Sequence, residues 1–290
     1  MIKASSAVTI VAALSIFRFA GYFNEPRLTD TEIHAIAGES AGVASTGVRG
    51  GRPLTVVTWN IERGVQFQKI VTTLRALEPD VILLQEVDRY CRRSGNRDVA
   101  RDLAQMLAMN WVSAGEYQEI GEAGGTTAAV TGQAILSREP IADAATIVFA
   151  DQASFRWRLN PLQPRRGGRI ALQATTAGIR FFNLHLESGG DDGLRTRQLE
   201  EVIAASKQHN DRAVIAGDFN NDVAFRSFMF AGLTGAAFVD ALGTVPRQTS
   251  INHRHPIDWI FVKGATSSAG RVERVDDTSD HFPLVARISR

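Results

Sequence analysis

The sequence predicts an α+β domain whose sheets are antiparallel or mixed. Two observations predict it. Apolar runs at strand spacing interleave with apolar residues at helical spacing along most of the chain. At residues 127–136 and 143–149, and again at 169–176 and 179–186, one strand follows another with no helix between them, which a regular βαβ series does not do.

The elements follow in order. Residues 4–17 are an apolar run behind Lys3, like the start of a signal peptide, but Arg18 follows at once and the small residues Ala35-Ile-Ala37 lie far downstream. The run is short for a membrane span. The sequence leaves export or anchoring open beside a cytoplasmic location. Residues 29–37 read as a short helix, capped by Thr29 or Asp30 with Glu32 in its first turn. Residues 38–53, rich in Gly, Ser and Thr, read as a linker, so 1–53 is expected to be an extension and 54–290 the domain.

Leu54–Trp59 is a β-branched strand. Phe67, Ile70, Val71, Leu74 and Leu77 recur at helical spacing, and Pro79 marks the stop. Residues 81–84 form a short buried strand, and Val99, Leu103, Met106 and Leu107 mark a second helix. After the strands at 127–136 and 143–149 comes a long loop, 150–168, with Phe155 and Trp157 among its arginines and prolines. The strands at 169–176 and 179–186 turn at Ala177-Gly178. Leu194, Leu199, Val202 and Ile203 mark a helix ending near His209, followed by a strand at 213–216 and a helix through Phe225, Phe228 and Met229. Residues 257–262 and 283–288 are the last strands.

Composition narrows the function. With 290 residues and 44% hydrophobic content the chain can bury a sizeable core. A net charge of +1 excludes a global basic field for non-specific nucleic-acid binding. Cys91 is the only cysteine, which rules out an internal disulfide and a cysteine zinc site.

The chemistry sits at strand ends. Trp59-Asn60-Ile61-Glu62, Leu84-Gln85-Glu86, Asn183-Leu184-His185, Gly217-Asp218-Phe219-Asn220 and Ser279-Asp280-His281 each close an apolar run with groups that bind metal or phosphate. Asp258 lies inside one, where an unpaired carboxylate is costly. Singly these are turn residues, helix caps or a satisfied core histidine. Together, on strands that end at one rim, they converge. Oxygen donors without thiolate suit a hard cation, Mg²⁺ or Mn²⁺. Such an ion polarises a phosphoryl oxygen and acidifies bound water, while Asn and His stabilise the transferring group and a free carboxylate activates water.

In this order, Asn60, Glu86, His185, Asp218-x-Asn220, Asp258 and Asp280-His281, with the strand 132–138 between them, resemble the endonuclease/exonuclease/phosphatase superfamily of DNase I-like proteins over about residues 54–290. The resemblance implies a four-layer α/β/β/α sandwich of two packed mixed β-sheets and a divalent-metal-dependent hydrolase of phosphate esters. It implies Glu86 as main metal ligand with Asn60 beside it, Asp218 on the nucleophilic water and Asn220 on the scissile phosphate. It also implies that Asp280 holds His281, that Asp258 supports that neighbourhood and that His185 contacts phosphate. Gln133 stands where the superfamily usually has Asn, and Glu62 where shorter or neutral residues occur.

Gln133, Arg169 and His255 are the expected substrate contacts, His255 through the triplet His253-Arg254-His255 beside Asp258. The arginines at 89–97 and 156–169, the latter with Phe155 and Trp157, suit a nucleic-acid backbone or an anionic membrane surface. The expected substrate is therefore a nucleic acid, with a phospholipid or inositol phosphate head group as the alternative. No obligate protein partner is evident and a monomer is expected. Two distant alternatives are a non-catalytic phosphate-binding protein and a serine esterase, the latter because Gly38-Glu39-Ser40-Ala41-Gly42 matches a nucleophile elbow without its strand and helix.

Overall fold

The computed structural model describes residues 25–39, 51–124, 126–153, 164–189, 191–208, 212–221, 223–243 and 247–290. The apolar run 4–17, Ser40, Phe155 and Trp157 lie outside the described residues. Among the described residues, no helix is long and apolar enough to cross a membrane.

Strands in this protein carry one face into the molecule and the other outward, and both faces are apolar. That pattern requires two sheets packed together with helices outside them. The first sheet has the order β1 (Ala37–Glu39), β4 (Asn110–Glu119), β5 (Val130–Ser137), β3 (Val81–Arg89), β2 (Leu54–Asn60), β14 (Leu284–Ile288) and β13 (Ser267–Val272), with β7 (Arg165–Gly167) also on β4. The second has the order β11 (Val239–Asp240), β12 (Asp258–Lys263), β10 (Ala213–Asp218), β9 (Ile179–His185), β8 (Ile170–Thr176) and β6 (Ala142–Val148). Both are mixed: β2 and β3 are parallel, as are β9 and β10, and the other pairs are antiparallel.

Alternate residues divide the layers. Leu54, Val56, Val81 and Leu83 of the first sheet meet Phe181, Val214, Ala216 and Ile260 of the second in the seam between them. Their neighbours Val57, Trp59, Ile82 and Leu84 face outward onto α2 (Phe67–Leu77) and α3 (Val99–Leu107). On the far side Phe182, Leu184, Ile215 and Phe261 pack under α4 (Asp192–Ser206) and α5 (Val223–Gly235). The result is the expected four-layer α/β/β/α sandwich.

Three readings of the sequence change. The helix expected over 29–37 is a single turn, α1 (Asp30–Ile33), closed by a reciprocal capping box between Thr29 and Glu32. The expected linker begins too early, because Ala37–Glu39 continue as β1 beside β4. Gly38 permits this: a Cβ there would lie 2.4 Å from the Trp111 carbonyl oxygen. The preceding residues are tied down as well. The Glu25 carboxylate accepts the Gly121 and Ala123 N–H groups at 2.9 and 3.2 Å. Gln118 accepts the Leu28 N–H and donates to the Pro26 carbonyl. Finally, β4 itself went unread. Its Ser113, Gly115, Glu116 and Gln118 break the apolar pattern, yet all ten of its residues are buried, with β5 on one side and β1 and β7 on the other.

Gly217 holds the two site-bearing strands β9 and β10 in contact. Its φ is +142°, and a Cβ would meet the Leu184 carbonyl oxygen at 1.9 Å. The substitution Gly217→Ala is expected to cost on the order of 3 kcal/mol or more. Thermal unfolding followed by circular dichroism should then show a Tm lower by about 6–12 °C.

Candidate active site

The seam that buries apolar residues ends in polar ones. Along β2 the seam-facing positions run Leu54, Val56, Thr58, Asn60; along β9 they run Ile179, Phe181, Asn183, His185. On β10 they finish at Asp218, and on β12 they begin at Asp258. Pairing sets Asp218 opposite both His185 and Asp258 across neighbouring strands. Four side chains far apart in sequence thus share one rim, with no loop needed to place them.

His281 joins from the turn before β14. Its own carbonyl accepts the Trp59 indole N–H at 2.9 Å. The Ser279 hydroxyl donates to the Asn60 carbonyl at 2.7 Å and accepts the His281 N–H at 3.1 Å. So seated, His281 donates from Nδ1 to Asp258 Oδ2 at 2.9 Å, and its Nε2 lies 3.7 Å from Asp218 Oδ2. His185 Nε2 lies 3.4 Å from that same oxygen. The Asn60 amide donates to it at 3.2 Å, and the Asn220 N–H donates to Oδ1 at 2.9 Å.

Burial sets the charges. It pushes the Asp218 carboxyl up to about 7, with Asp258 adding to the rise and His281, Asn220 and Asn60 opposing it. Burial works against the His281 cation too, but Asp258 and Asp218 outweigh it and lift the imidazole to about 10. Burial, then Arg169 and His281, hold His185 well below the usual histidine range. The rim therefore carries one protonated and one neutral histidine around a buried carboxylate.

Glu86 differs from these groups. Gln85 pairs with Gln133 and Val87 with Gly132, so Glu86 is the extra residue of a β-bulge, with φ at +52°. A bulge re-aims its side chain. Here 29% of the Glu86 side chain stays exposed, against 2% for Asp218. One Glu86 oxygen lies 3.4 Å from the Asn60 amide nitrogen, and the other 3.7 Å from Arg63 Nε.

The donor set suits a hard divalent cation. Glu86 is a carboxylate partly open to solvent, so it could hold an ion that retains some of its waters. Asn60 adds a carboxamide, and Glu62 lies close enough that Glu86 raises its pKa, after burial and Asp280. A tighter group exists: ligand atoms of Asp218, Asp258 and His281 all lie within 4.8 Å of one another. Because His281 donates a proton to Asp258 and is held as a cation, hydrogen bonding already accounts for that group.

One expected contact moves, and three expected substrate contacts take partners within the protein. Asp258, not Asp280, holds His281; Asp280 faces outward, accepting from the Asn252 amide at 3.2 Å while its N–H donates to Glu62. Gln133 is fully buried and donates to Glu116 and to the Ile170 carbonyl. Arg169, 7% exposed, donates to Glu116 at 2.9 Å. Both thus spend their side chains on partners within the protein. His255 donates from Nε2 to the Asn221 carbonyl at 3.0 Å and so buttresses its loop. The residue the sequence reading missed is Glu116, a buried carboxylate whose Oε2 lies 3.9 Å from His185 Nδ1. A Glu between Gly115 and Tyr117 in an otherwise buried strand was its signal.

Comparison with known proteins agrees with this geometry. The model of the endonuclease/exonuclease/phosphatase family matches residues 57–281. The structure of an endonuclease/exonuclease/phosphatase from Beutenbergia cavernae superimposes with a TM-score of 0.62 at 22% identity, covering 82% of this chain and 72% of that one. The human Nocturnin catalytic domain with bound sulfate gives 0.61 at 17% identity, covering 88% and 97%. A 3′ phosphatase from Neisseria bound to product DNA hairpin gives 0.58 at 20% identity, covering 82% and 100%. At these identities the likeness is one of fold. A UPF0294 protein of Vibrio vulnificus is 30% identical over 90 residues, and the match spans 31% of each chain.

The charge on His281 has a consequence for stability. Its folded pKa of about 10 lies above the ordinary value of 6.5, so the stability it contributes is full below pH 6.5 and lost as pH rises toward 10. His281→Gln is expected to lower Tm most at about pH 6.5 and to flatten its fall between pH 6.5 and 10, read by calorimetry in EDTA. Parallel curves for variant and wild type would contradict the assignment.

Proposed function

The chain belongs to the endonuclease/exonuclease/phosphatase family, whose members are metal-dependent hydrolases of phosphate esters, and from that premise we propose that it is a Mg²⁺- or Mn²⁺-dependent phosphodiesterase acting on nucleic acid. The observation that carries this reading is the sharing of Asp218 Oδ2 between Asn60, His185 and His281, with solvent-open Glu86 on the other side of Asn60.

Glu86 would hold the ion, with Asn60 beside it. The bound cation would polarise a phosphoryl oxygen and lower the pKa of water. Asp218 orients the attacking water and takes its proton, since the groups around it fix its position and leave it little freedom to reorganise. His281, kept cationic and oriented by Asp258, donates from Nε2 to the charge that develops on the phosphoryl oxygens. His185 supplies a neutral donor on the opposite side of Asp218. Asn220 spends one amide hydrogen on the Leu186 carbonyl at 2.9 Å and keeps the other for the scissile phosphate. The neutral amide and imidazole stabilise charge without repelling the metal.

One feature favours a second reading. A groove of about 660 Å³ beside the rim is lined by Glu62, Asp276, Asp277 and Asp280, with Ile251 and Val275 as apolar walls. It suits the cationic head group of a phospholipid diester better than a polyanion.

A panel of single-stranded DNA, plasmid DNA, RNA, sphingomyelin and an inositol phosphate, with Mg²⁺ or Mn²⁺ and with EDTA, separates the two. Turnover of the nucleic acids that EDTA abolishes is the expected result; turnover of the lipid alone would replace this reading by the second. Asp218→Ala is expected to lose on the order of 10³-fold or more in kcat with its circular dichroism unchanged, because a water-activating group acts in the transition state. Glu86→Gln is expected to raise the metal concentration for half-maximal rate by about tenfold, through its lost ligand charge. A full rate in Asp218→Ala would refute the assignment.

A further inference from the structure

The triplet His253-Arg254-His255 is left over once the rim has been assigned. It sits on a loop, residues 249–256, that is fastened along its length. The Thr249 hydroxyl accepts the Ile257 and Asp258 N–H groups at 3.0 and 3.1 Å. The Thr249 carbonyl accepts the Phe282 N–H at 2.7 Å, and the Ile251 N–H donates to the Asp280 carbonyl at 2.9 Å. Ser250 is bridged both to His253 and to His281. Asn252 grips the Asp280 carboxylate, and at the other end the Asn221 amide donates to the Pro256 carbonyl at 3.0 Å.

These attachments fix where the triplet lies. One end is bound beside Asp280 and His281, and the other beside Asn220 and Asn221, so the triplet runs along the rim. Within it the roles differ. His255 spends Nε2 on the Asn221 carbonyl, and its ring meets that of His253 edge to face with centroids 5.7 Å apart. His253 is exposed, and burial, then His255 and His281, lower its imidazole pKa, so it faces solvent as a neutral donor beside the site. Arg254 is exposed too, and no hydrogen bond or ion pair with the described residues engages it, whereas Arg93, Arg169 and Arg247 are each held by a carboxylate.

An ordered loop that keeps an unpaired guanidinium and an exposed imidazole along a phosphate-cleaving rim has the makings of an anion site. Arginine pairs with phosphate in a bidentate fork, and a fixed loop removes much of the entropy cost of holding it there. Glu62, Asp276, Asp277 and Asp280 make the flank beyond Ile251 acidic, so a polyanion is drawn to the triplet's side of the loop. We propose that His253 and Arg254 form a subsite for a second phosphate, lying next to the scissile one in the same substrate. This deepens the reading above and rests on it. The shared chemistry is a pair of nearby phosphates, supplied either by a nucleic-acid strand or by an inositol polyphosphate.

The test begins with binding, in EDTA so that no turnover occurs. A short fluorescein-labelled DNA strand is titrated with wild type, His253→Gln and Arg254→Ala while anisotropy is read. Each variant is expected to bind about 5–20-fold more weakly, and Arg254→Ala to show a salt slope smaller by about one. Competition by inositol trisphosphate against a zwitterionic lipid head group then separates the sources: displacement by the trisphosphate at concentrations below the strand's own identifies the inositol class. Variants that bind both probes as wild type does would overturn the subsite, as would a wild type that binds neither. With Mg²⁺, kcat/KM is then compared on the strand and on bis(p-nitrophenyl) phosphate, which has one phosphate only. The loss on the strand is expected to exceed that on the small diester by about tenfold, the cost of a lost charged contact. Equal losses would place His253 at the reacting phosphate and refute a second site. A wild type that binds the strand but hydrolyses neither ester would sink the phosphodiesterase reading, and the second-phosphate subsite with it, whereas unchanged binding by the variants of an active enzyme would sink the subsite alone.

Discussion

The alternation of side chains along a strand is the constraint on which this structure depends. The pleat sends every second residue into the seam between the sheets. Leu54, Val56 and Thr58 occupy that row before Asn60, and Val214 and Ala216 before Asp218. The row that builds the core therefore aims the site. A register slip of one residue on β10 would turn Asp218 into the helix layer and expose Val214 and Ala216 to the wrong face. Stability and site geometry are thus enforced by one pattern, which is why Gly217, whose missing Cβ lets β10 approach β9, matters to both.

Placing carboxylates at the end of an apolar seam carries an energetic demand. Asp218, Asp258 and Glu116 are each about 1% exposed, and a buried charge without a partner is costly. Each is answered locally. Asp258 has His281, Asp218 has two histidines and the Asn60 amide, and Glu116 has Arg169 and Gln133. Burial still raises the Glu116 carboxyl against the pull of Arg169 and Gln133. Gln133 and Arg169 act from beneath the site, as the floor under His185. Gln133 ties Glu116 to the Ile170 carbonyl, and Arg169 ties it by an ion pair, so a chain that loses either loosens that floor.

This divides what the sequence could reveal. Residues whose side chains finish an apolar strand, such as Asn60, His185, Asp218 and Asp258, stand out because the pattern changes at the position where the chemistry begins. The four-layer arrangement came only with the family resemblance that the order of those motifs carries. Partnerships across the seam were not. Whether Asp258 or Asp280 holds His281 depends on which way the segment before β14 points its side chains, and spacing is silent on that. Glu116 stayed hidden because β4 carries a bulge between Gly115 and Tyr117, which breaks its alternation. Buried on both faces and interrupted by polar residues, β4 resembled a loop. The start of the linker at residue 38 was illegible for another reason, since three residues, Ala37–Glu39, make a strand only by borrowing the edge of β4.

On the reading proposed above, the bulge at Glu86 would let one rim serve a metal and a buried base at once. A carboxylate in the seam row is desolvated, as Asp218 is, and its proton affinity rises until it competes with a cation. A metal ligand must instead stay ionised and leave room for water. No residue of the regular pleat on β3 meets that need, because Gln85 faces the seam and Leu84 faces the helices. Inserting one residue shifts the side chain off both faces toward solvent, and φ at +52° is the strain that accompanies it. Asn60 then links the two environments, donating from one amide nitrogen to Asp218 and lying within 3.4 Å of Glu86. A substitution of Asn60 would accordingly disturb the surroundings of both Asp218 and Glu86, although it removes neither carboxylate.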